Sequence, residues 1–309
     1  MIIKSATIEA IRTQFSKIFQ SAIALAPEHW KRVATLVPSG SAENTYGWLG
    51  KFPALREWIG ERLLKSVKEH AYTIINKKFE STVDVDRADI EDDNLGIYAP
   101  LVRSLGEEVM SQIDREVFGL LGAGFANLCY DGQNFFDTDH PVNAAVDGKG
   151  ANTPTSNLLD PAPGAGGKID HKTPWYLLNT KRSLKPLIFQ ERTKPELEAI
   201  TDTKNDTVFM KDKYLYGARV RRAFGYGFWQ MAVASRVDLT EENFNIAMKT
   251  MMEFKADGGD PLGMMPDLMV VPPALRAAAN EAVLAQNKAN GASNPNYKAV
   301  DVLISPWLA

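Results

Sequence analysis

The sequence predicts an α+β protein with two amphipathic helices, a long extended hairpin and a strand-rich centre. Three observations carry that reading. Apolar residues recur at three- and four-residue steps near the N-terminus and again from Ile97 to Leu121. Between them, residues 33–85 alternate with the period of extended chain. From Pro174 to Ser235, short β-branched and aromatic runs follow one another.

Composition bounds the class. Apolar residues make up 45% and charged residues 24%, which excludes disorder, collagen and a coiled-coil rod. The 309 residues allow one large unit or two domains. Lys and Arg total 35 against 38 acids, a net charge of -3, so no bulk basicity attracts nucleic acid. Cys129 is the one cysteine, which excludes an intrachain disulfide and a Cys-rich zinc site. No apolar run approaches the ~20 residues of a membrane helix. The start, MIIKSATIEAIRTQF, is too polar for a secretory signal, so the chain reads as a soluble, reducing-compartment product.

The elements follow in order. Ile8, Ile11, Phe15, Ile18, Phe19 and Ala22 form one helix face, with Ser5 or Thr7 as the cap and Pro27 as the stop. That face must be buried on the chain's own core or on a neighbouring subunit. Val33, Thr35 and Val37, then Tyr46 and Trp48, suit an irregular strand; Phe52 to Ile59 suits a short helix. Ser66 to Asn76 and Phe79 to Val85 return as extended chain. A hairpin this long and thinly apolar is entropically expensive unless a partner covers it.

Asp84, Asp86, Asp89, Glu91, Asp92 and Asp93 crowd one stretch. A calcium loop needs Gly at its sixth position and Glu at its twelfth, where Asp89 and Leu95 stand. A helix start is the better reading, since acids there favour the macrodipole. The helix expected over 95–121 carries Ile97, Leu101, Leu105, Val109, Ile113, Val117 and Leu121 at four-residue spacing, widened by Val102 and Phe118. At ~1.5 Å per residue it spans roughly 40 Å, and Gly122 and Gly124 stop it.

Residues 143–172 read as a surface loop of roughly thirty residues. Strands are expected at Trp175–Leu178, Leu187–Gln190, Thr207–Met210, Tyr214–Val220 and Phe224–Val233. A helix capped by Thr240 runs to Lys255, before Gly258 and Gly259. Leu268–Val271 is a buried strand, Pro273 opens a helix through Ala289, and Val300–Ile304 is the last strand. No fixed-period repeat is visible.

Chemistry is sparse. Asp137, Asp139 and His140 could ligate a metal or share a proton, the set a metal-dependent hydrolase would use; the plainer reading is a hydrogen-bonded turn before Pro141. Gly164 to Lys168 lacks the first Gly and the Ser or Thr of a phosphate loop. Gly225, Tyr226, Gly227, Phe228 and Trp229 read as core packing against close backbone. Arg219, Arg221 and Arg222 read as salt-bridge partners rather than phosphate contacts, and Cys129 has no basic partner nearby in sequence. No catalytic, cofactor-binding or metal-ligating residue is assigned.

Several blocks resemble the major head subunit (protein T) family of Mu-like phages and prophages. They are Tyr46-Gly47-Trp48-Leu49-Gly50 with Pro53, Arg56 and Trp58; Phe135-Phe136-Asp137-Thr138-Asp139-His140-Pro141; Pro174-Trp175-Tyr176-Leu177-Leu178; Lys185-Pro186-Leu187-Ile188-Phe189-Gln190; Tyr216-Gly217-Ala218-Arg219; Gly225-Tyr226-Gly227-Phe228-Trp229-Gln230; and Pro266 to Pro273. They occur in order along nearly the whole chain.

The resemblance implies the Hong Kong 97-type capsid fold and a non-enzymatic shell protein without cofactors. On that fold, 1–32 is an N-terminal arm, 33–83 an extended loop, and 84–125 with 173–235 a peripheral domain containing the spine helix. Residues 126–172 form a surface loop region and 236–309 an axial domain. In many related shells a similar Trp-Tyr-Leu block follows the axial block, so a permuted element order is an open alternative.

The implied partners are other copies in hexamers and pentamers, portal, scaffold and protease proteins, a decoration protein, and packaged double-stranded DNA bound without sequence specificity. No membrane is involved. The implied location is the virion capsid, assembled in the bacterial host cytoplasm. Some shells of this fold crosslink through Lys and Asn, and Lys51 is a geometric candidate only. The alternative functions are an encapsulin-like nanocompartment shell and the hydrolase built on Asp137, Asp139 and His140.

Overall fold

The computed structural model describes residues 5–49, 72–91, 95–146, 148–164 and 167–308. Its helices are α1 (Ser5–Leu25), α2 (Arg87–Glu91), α3 (Ala99–Ala123), α4 (Asp206–Lys211), α5 (Glu241–Met252) and α6 (Arg276–Ala279). Its strands are β1 (Ala34–Pro38), β2 (Glu43–Tyr46), β3 (Tyr72–Ile75), β4 (Lys77–Asp86), β5 (His140–Asn143), β6 (Asn152–Thr155), β7 (Leu158–Leu159), β8 (Trp175–Leu178), β9 (Leu187–Ile200), β10 (Lys213–Tyr226), β11 (Ala232–Ser235), β12 (Leu268–Val271) and β13 (Asp301–Ile304).

Two sheets organise them. The first has the order β1-β9-β10-β4, with β1 parallel to β9 and the other neighbours antiparallel. The second has the order β13-β12-β8-β11-β7. Two-residue alternation fits the first, where β10 buries Tyr214, Tyr216, Ala218 and Val220 on one face. The middle strands of the second, β8, β11 and β12, are buried throughout, so their sequences read as continuous apolar runs.

There are two hydrophobic cores, and α3 serves both; the larger joins the second sheet to Ala34, Leu187, Ile188, Phe189, Ala223 and Tyr226 of the first. Val102, Leu105 and Val109 join Phe15, Phe19, Tyr214 and Tyr216 on the first sheet. Met110, Ile113, Val117, Phe118 and Leu121 join Trp175 to Leu178 and Leu268 to Val271 on the second. The four-residue ladder explains this division. Four residues advance ~40° beyond a full turn, so the stripe winds from one core to the next. The same drift turns Leu101 outward and puts Val102 inside in its place, while Ile97 is exposed on the 3-10 turn before the helix.

Helix α1 buries Ile11, Phe15, Phe19 and Ala22 against its own chain, so its stripe needs no neighbour to cover it. Gly106 on α3 makes the contact possible: a Cβ there would lie 2.8 Å from the Ala22 Cβ and 2.8 Å from the Phe19 carbonyl oxygen. Thr7 lies within the helix rather than at its cap.

Other expectations need correction. Asp84 and Asp86 belong to β4, and the long helix starts only at Ala99, after a 3-10 turn at Leu95–Ile97; Asp92 and Asp93 lie outside the described residues. Thr207–Met210 is helix α4, because the Asn205 side chain accepts from the Thr207 N–H at 3.0 Å and caps it. The strands expected at 214–220 and 224–233 are one strand to Tyr226, with irregularities at Arg219–Arg222, then a 3-10 turn and β11. The helix from Pro273 is a 3-10 turn, α6 and a π turn that stops at Leu284, where Ala285 becomes extended.

The 126–172 region is not all surface loop. Phe135, Phe136, His140 and Asn157 are buried, β5 and β6 form a hairpin, and β7 pairs with β11. The border at 235/236 does not separate the sheets either. β8 and β11 of the supposed peripheral segment share the second sheet with β12 and β13 of the supposed axial one.

The described parts of 33–83 pair with more than one sheet. β1 and β4 are strands of the first sheet, and β2 pairs with β3. The Tyr46 hydroxyl donates to the Gln190 Oε1 at 2.7 Å, and the Gln190 Nε2 donates to the Ile74 carbonyl at 3.2 Å. Gly225 admits Ile74 and Tyr72: a Cβ there would lie 2.4 Å from the Ile74 Cδ1. The tip, with the expected helix at 52–59 and Lys51, lies outside the described residues.

Candidate assembly surface and buried histidine cluster

The exposed apolar groups are distributed over several elements. Leu25 ends α1, Leu36 and Ile75 face out from β1 and β3, and Phe209 and Met210 are each more than three-quarters exposed on α4. Strands β1, β4, β7 and β13 are sheet edges among the described residues. An edge offers backbone groups to a second chain, and exposed apolar side chains gain free energy when a second chain covers them. Such surface is available on several sides.

The residues singled out for chemistry do not assemble as the hydrolase reading requires. Asp137 works as a turn carboxylate: its Oδ2 accepts from the Asn134 N–H at 3.2 Å and Nδ2 at 3.0 Å, and its Oδ1 from the Thr138 N–H at 2.8 Å. Burial would raise its pKa, but those bonds, beginning with Thr138, hold it below the usual carboxylate range. Asp139 is exposed and shifted upward by the hydrogen bond it shares with Asp137.

His140 turns away from both, into the core. It is fully buried, its ring stacked on Trp229 at 4.1 Å and 9°. Its Nδ1 lies 2.7 Å from the Asp131 Oδ2 and its Nε2 3.2 Å from the Asn157 Oδ1. Asp131 and Asn157 went unmarked in the sequence, because neither lies in a ligand or triad spacing with His140. Burial raises the Asp131 pKa, but the His140 bond and charge outweigh it and the net shift is downward. The Cys129 thiol, hydrogen-bonded to the Asp131 Oδ1 at 3.0 Å, is pushed up by burial and then by the Asp131 charge. A neutral thiol on a carboxylate is not an activated nucleophile.

The arginine triplet also separates. Arg222 is buried, donates to the Val109 carbonyl at 2.7 Å and is lowered to about 10, chiefly by burial. That backbone bond replaces the expected salt bridge. Arg219 is exposed, opposite Glu80 and Glu196 on the flanking strands. Gly225 to Trp229 pack as expected, with Tyr226, Phe228 and Trp229 buried.

A two-sheet chain with a shared helix and exposed apolar side chains on several elements suits a packing subunit. Comparison decides the family: residues 8–308 match the model of the Mu-like prophage major head subunit gpT. The chain belongs to this family. It is 47% identical to the major capsid protein of Escherichia phage Mu over 311 residues, covering 100% of both chains. The procapsid of bacteriophage JBD30 aligns with a TM-score of 0.86 and 53% identity, over 99% of this chain and 100% of that one. The JBD30 capsid decorated with minor capsid protein trimers aligns at 0.75 and 39%, over 100% of both. The major head subunit family thus accounts for the whole chain, and its architecture is the Hong Kong 97-type capsid fold.

Proposed function

We propose that this major head subunit assembles with copies of itself into hexamers and pentamers of an icosahedral shell around double-stranded DNA, and performs no catalysis. The carrying observation is surface. Leu25, Leu36, Ile75, Phe209 and Met210 stand exposed on α1, β1, β3 and α4. Neighbouring copies that cover them would gain the free energy of burying that apolar surface. The net charge of -3 agrees, since a strongly basic wall would hold DNA that has to be packed and released.

The remaining partners follow from the family and its relatives. Portal, scaffold and protease proteins would act during assembly in the bacterial cytoplasm, and trimers of a minor capsid protein decorate the related JBD30 capsid. The test is to replace residues 50–71 with a short Gly-rich turn. Tyr46 and Tyr72 already pair across β2 and β3, so the turn closes an existing hairpin. Sedimentation should show a folded subunit that no longer forms closed shells. Shells formed as readily as by wild type would remove this segment from assembly.

A further inference from the structure

Three donor side chains meet just beneath the surface, on a turn and a strand. The turn from Cys129 to Gln133 is closed by Cys129 N–H donating to the Gln133 carbonyl at 2.8 Å, with Gly132 at φ +86°. It presents the Cys129 Sγ and the Asp131 carboxylate together. His140, the first residue of β5, brings its Nδ1 to the same point. The three donor atoms lie within 4.8 Å of one another.

Asn157 sets the imidazole tautomer. Its Nδ2 donates to the Phe135 carbonyl at 2.9 Å and the Ala232 carbonyl at 3.2 Å, while its Oδ1 accepts from the Asp137 N–H at 2.9 Å. The amide therefore cannot flip without breaking these bonds. Its Oδ1 faces the His140 Nε2, so that nitrogen carries a hydrogen. Nδ1 then stands 2.7 Å from a carboxylate oxygen. Two lone pairs do not tolerate that separation, so a positive charge has to lie between them, either a proton or a metal cation.

We infer that Cys129, Asp131 and His140 form a binding site for one divalent cation of the zinc type. Sulfur, imidazole nitrogen and carboxylate oxygen are the donors zinc takes. A ligating histidine whose second nitrogen donates to a fixed acceptor is the usual arrangement, and Asn157 supplies that acceptor. The charges balance in either state. Without metal, a thiol and a carboxylate–imidazole pair sharing one proton sum to zero. With metal, the cation, thiolate, carboxylate and neutral imidazole also sum to zero. Uptake forms bonds from Sγ, a carboxylate oxygen and Nδ1 to the metal and releases two protons to solvent, one from the thiol and the one shared between Nδ1 and the Asp131 carboxylate. The fourth position takes water or the Asn134 carbonyl oxygen, 3.9 Å from Sγ. The cation would staple the 129–133 turn to β5. The residues differ from the set the sequence suggested, because Asp131 and Cys129 replace Asp137 and Asp139.

The test uses the full chain, untagged, stripped with chelator under reducing conditions and titrated with Co²⁺. One Co²⁺ per chain should bind, with a thiolate-to-cobalt charge-transfer band and an affinity that rises with pH. Zn²⁺ should displace it and raise the melting temperature. Cys129→Ser, a near-isosteric change, should keep the fold by circular dichroism and lose the band; Asp131→Asn should weaken binding. Absence of the band in the wild type, or an identical titration in Cys129→Ser, would overturn the assignment. Shell assembly is scored separately by microscopy, so failure of the metal site leaves the assembly reading standing.

Discussion

At the residue scale, buried polar groups reveal the roles that sequence spacing conceals. Asp114 sits on α3 and accepts the Trp30 N–H at 2.7 Å, tying the His29–Arg32 turn to the helix. Burial raises its pKa, opposed by that hydrogen bond. An unfolded Asp titrates near ~3.9, so the unfolded chain releases its proton first as pH rises. The ionised carboxylate therefore costs stability at neutral pH, and the cost disappears as pH falls through the folded value. Asp114→Asn keeps an acceptor for Trp30 without the charge. Urea unfolding of the subunit should find the variant at least as stable as wild type near neutrality, with any advantage shrinking on acidification. A loss of stability at neutral pH that stays constant with acidification would contradict this. Asp114 is not legible from sequence, since a lone acid in an apolar stripe looks like an ordinary surface break. His140 was visible but grouped with the acids beside it in sequence. Its actual partners, Asp131 and Asn157, lie nine and seventeen residues away.

At the element scale, legibility follows the strength of local signals. Helix α5 has its Thr240 cap accepting the Asn243 N–H at 3.2 Å, as the sequence indicated. Strands β8 and β12 are buried runs with sharp ends, which makes both legible in the sequence. Helix α4 was missed because Val208 and Phe209 favour strands, whereas the Asn205 cap and the turn from β9 to β10 decide the outcome. The contact of α1 with α3 depends on one missing side chain. Gly106→Ala gains ~1 kcal/mol of helix propensity but drives a Cβ into the Phe19 carbonyl. Overpacking of ~1–3 kcal/mol should prevail, and calorimetry should show a lower melting temperature. Leu105→Ala, one residue earlier in the same core, should cost about 2–5 kcal/mol. Unchanged melting in both would mean that α1 is not held on α3.

At the scale of the whole molecule, long-range pairing is where sequence reading ran out. Nothing local tells that β1 lies parallel to β9 more than 150 residues later, or that β8 and β11 belong with β12 and β13. The grouping of strands into sheets is not legible there, because sheets are joined by register and the sequence shows only order. The family was legible, since short blocks in fixed order are specific even when each is weak. The central claim is that this subunit exists to be covered by its own copies. Cryo-electron microscopy of particles grown from the purified chain tests it most directly. Closed shells of hexamers and pentamers are expected, in which residues 33–83 touch more than one neighbouring copy. A monomer or small discrete oligomer at every concentration, with 33–83 covered only by its own chain, would contradict it.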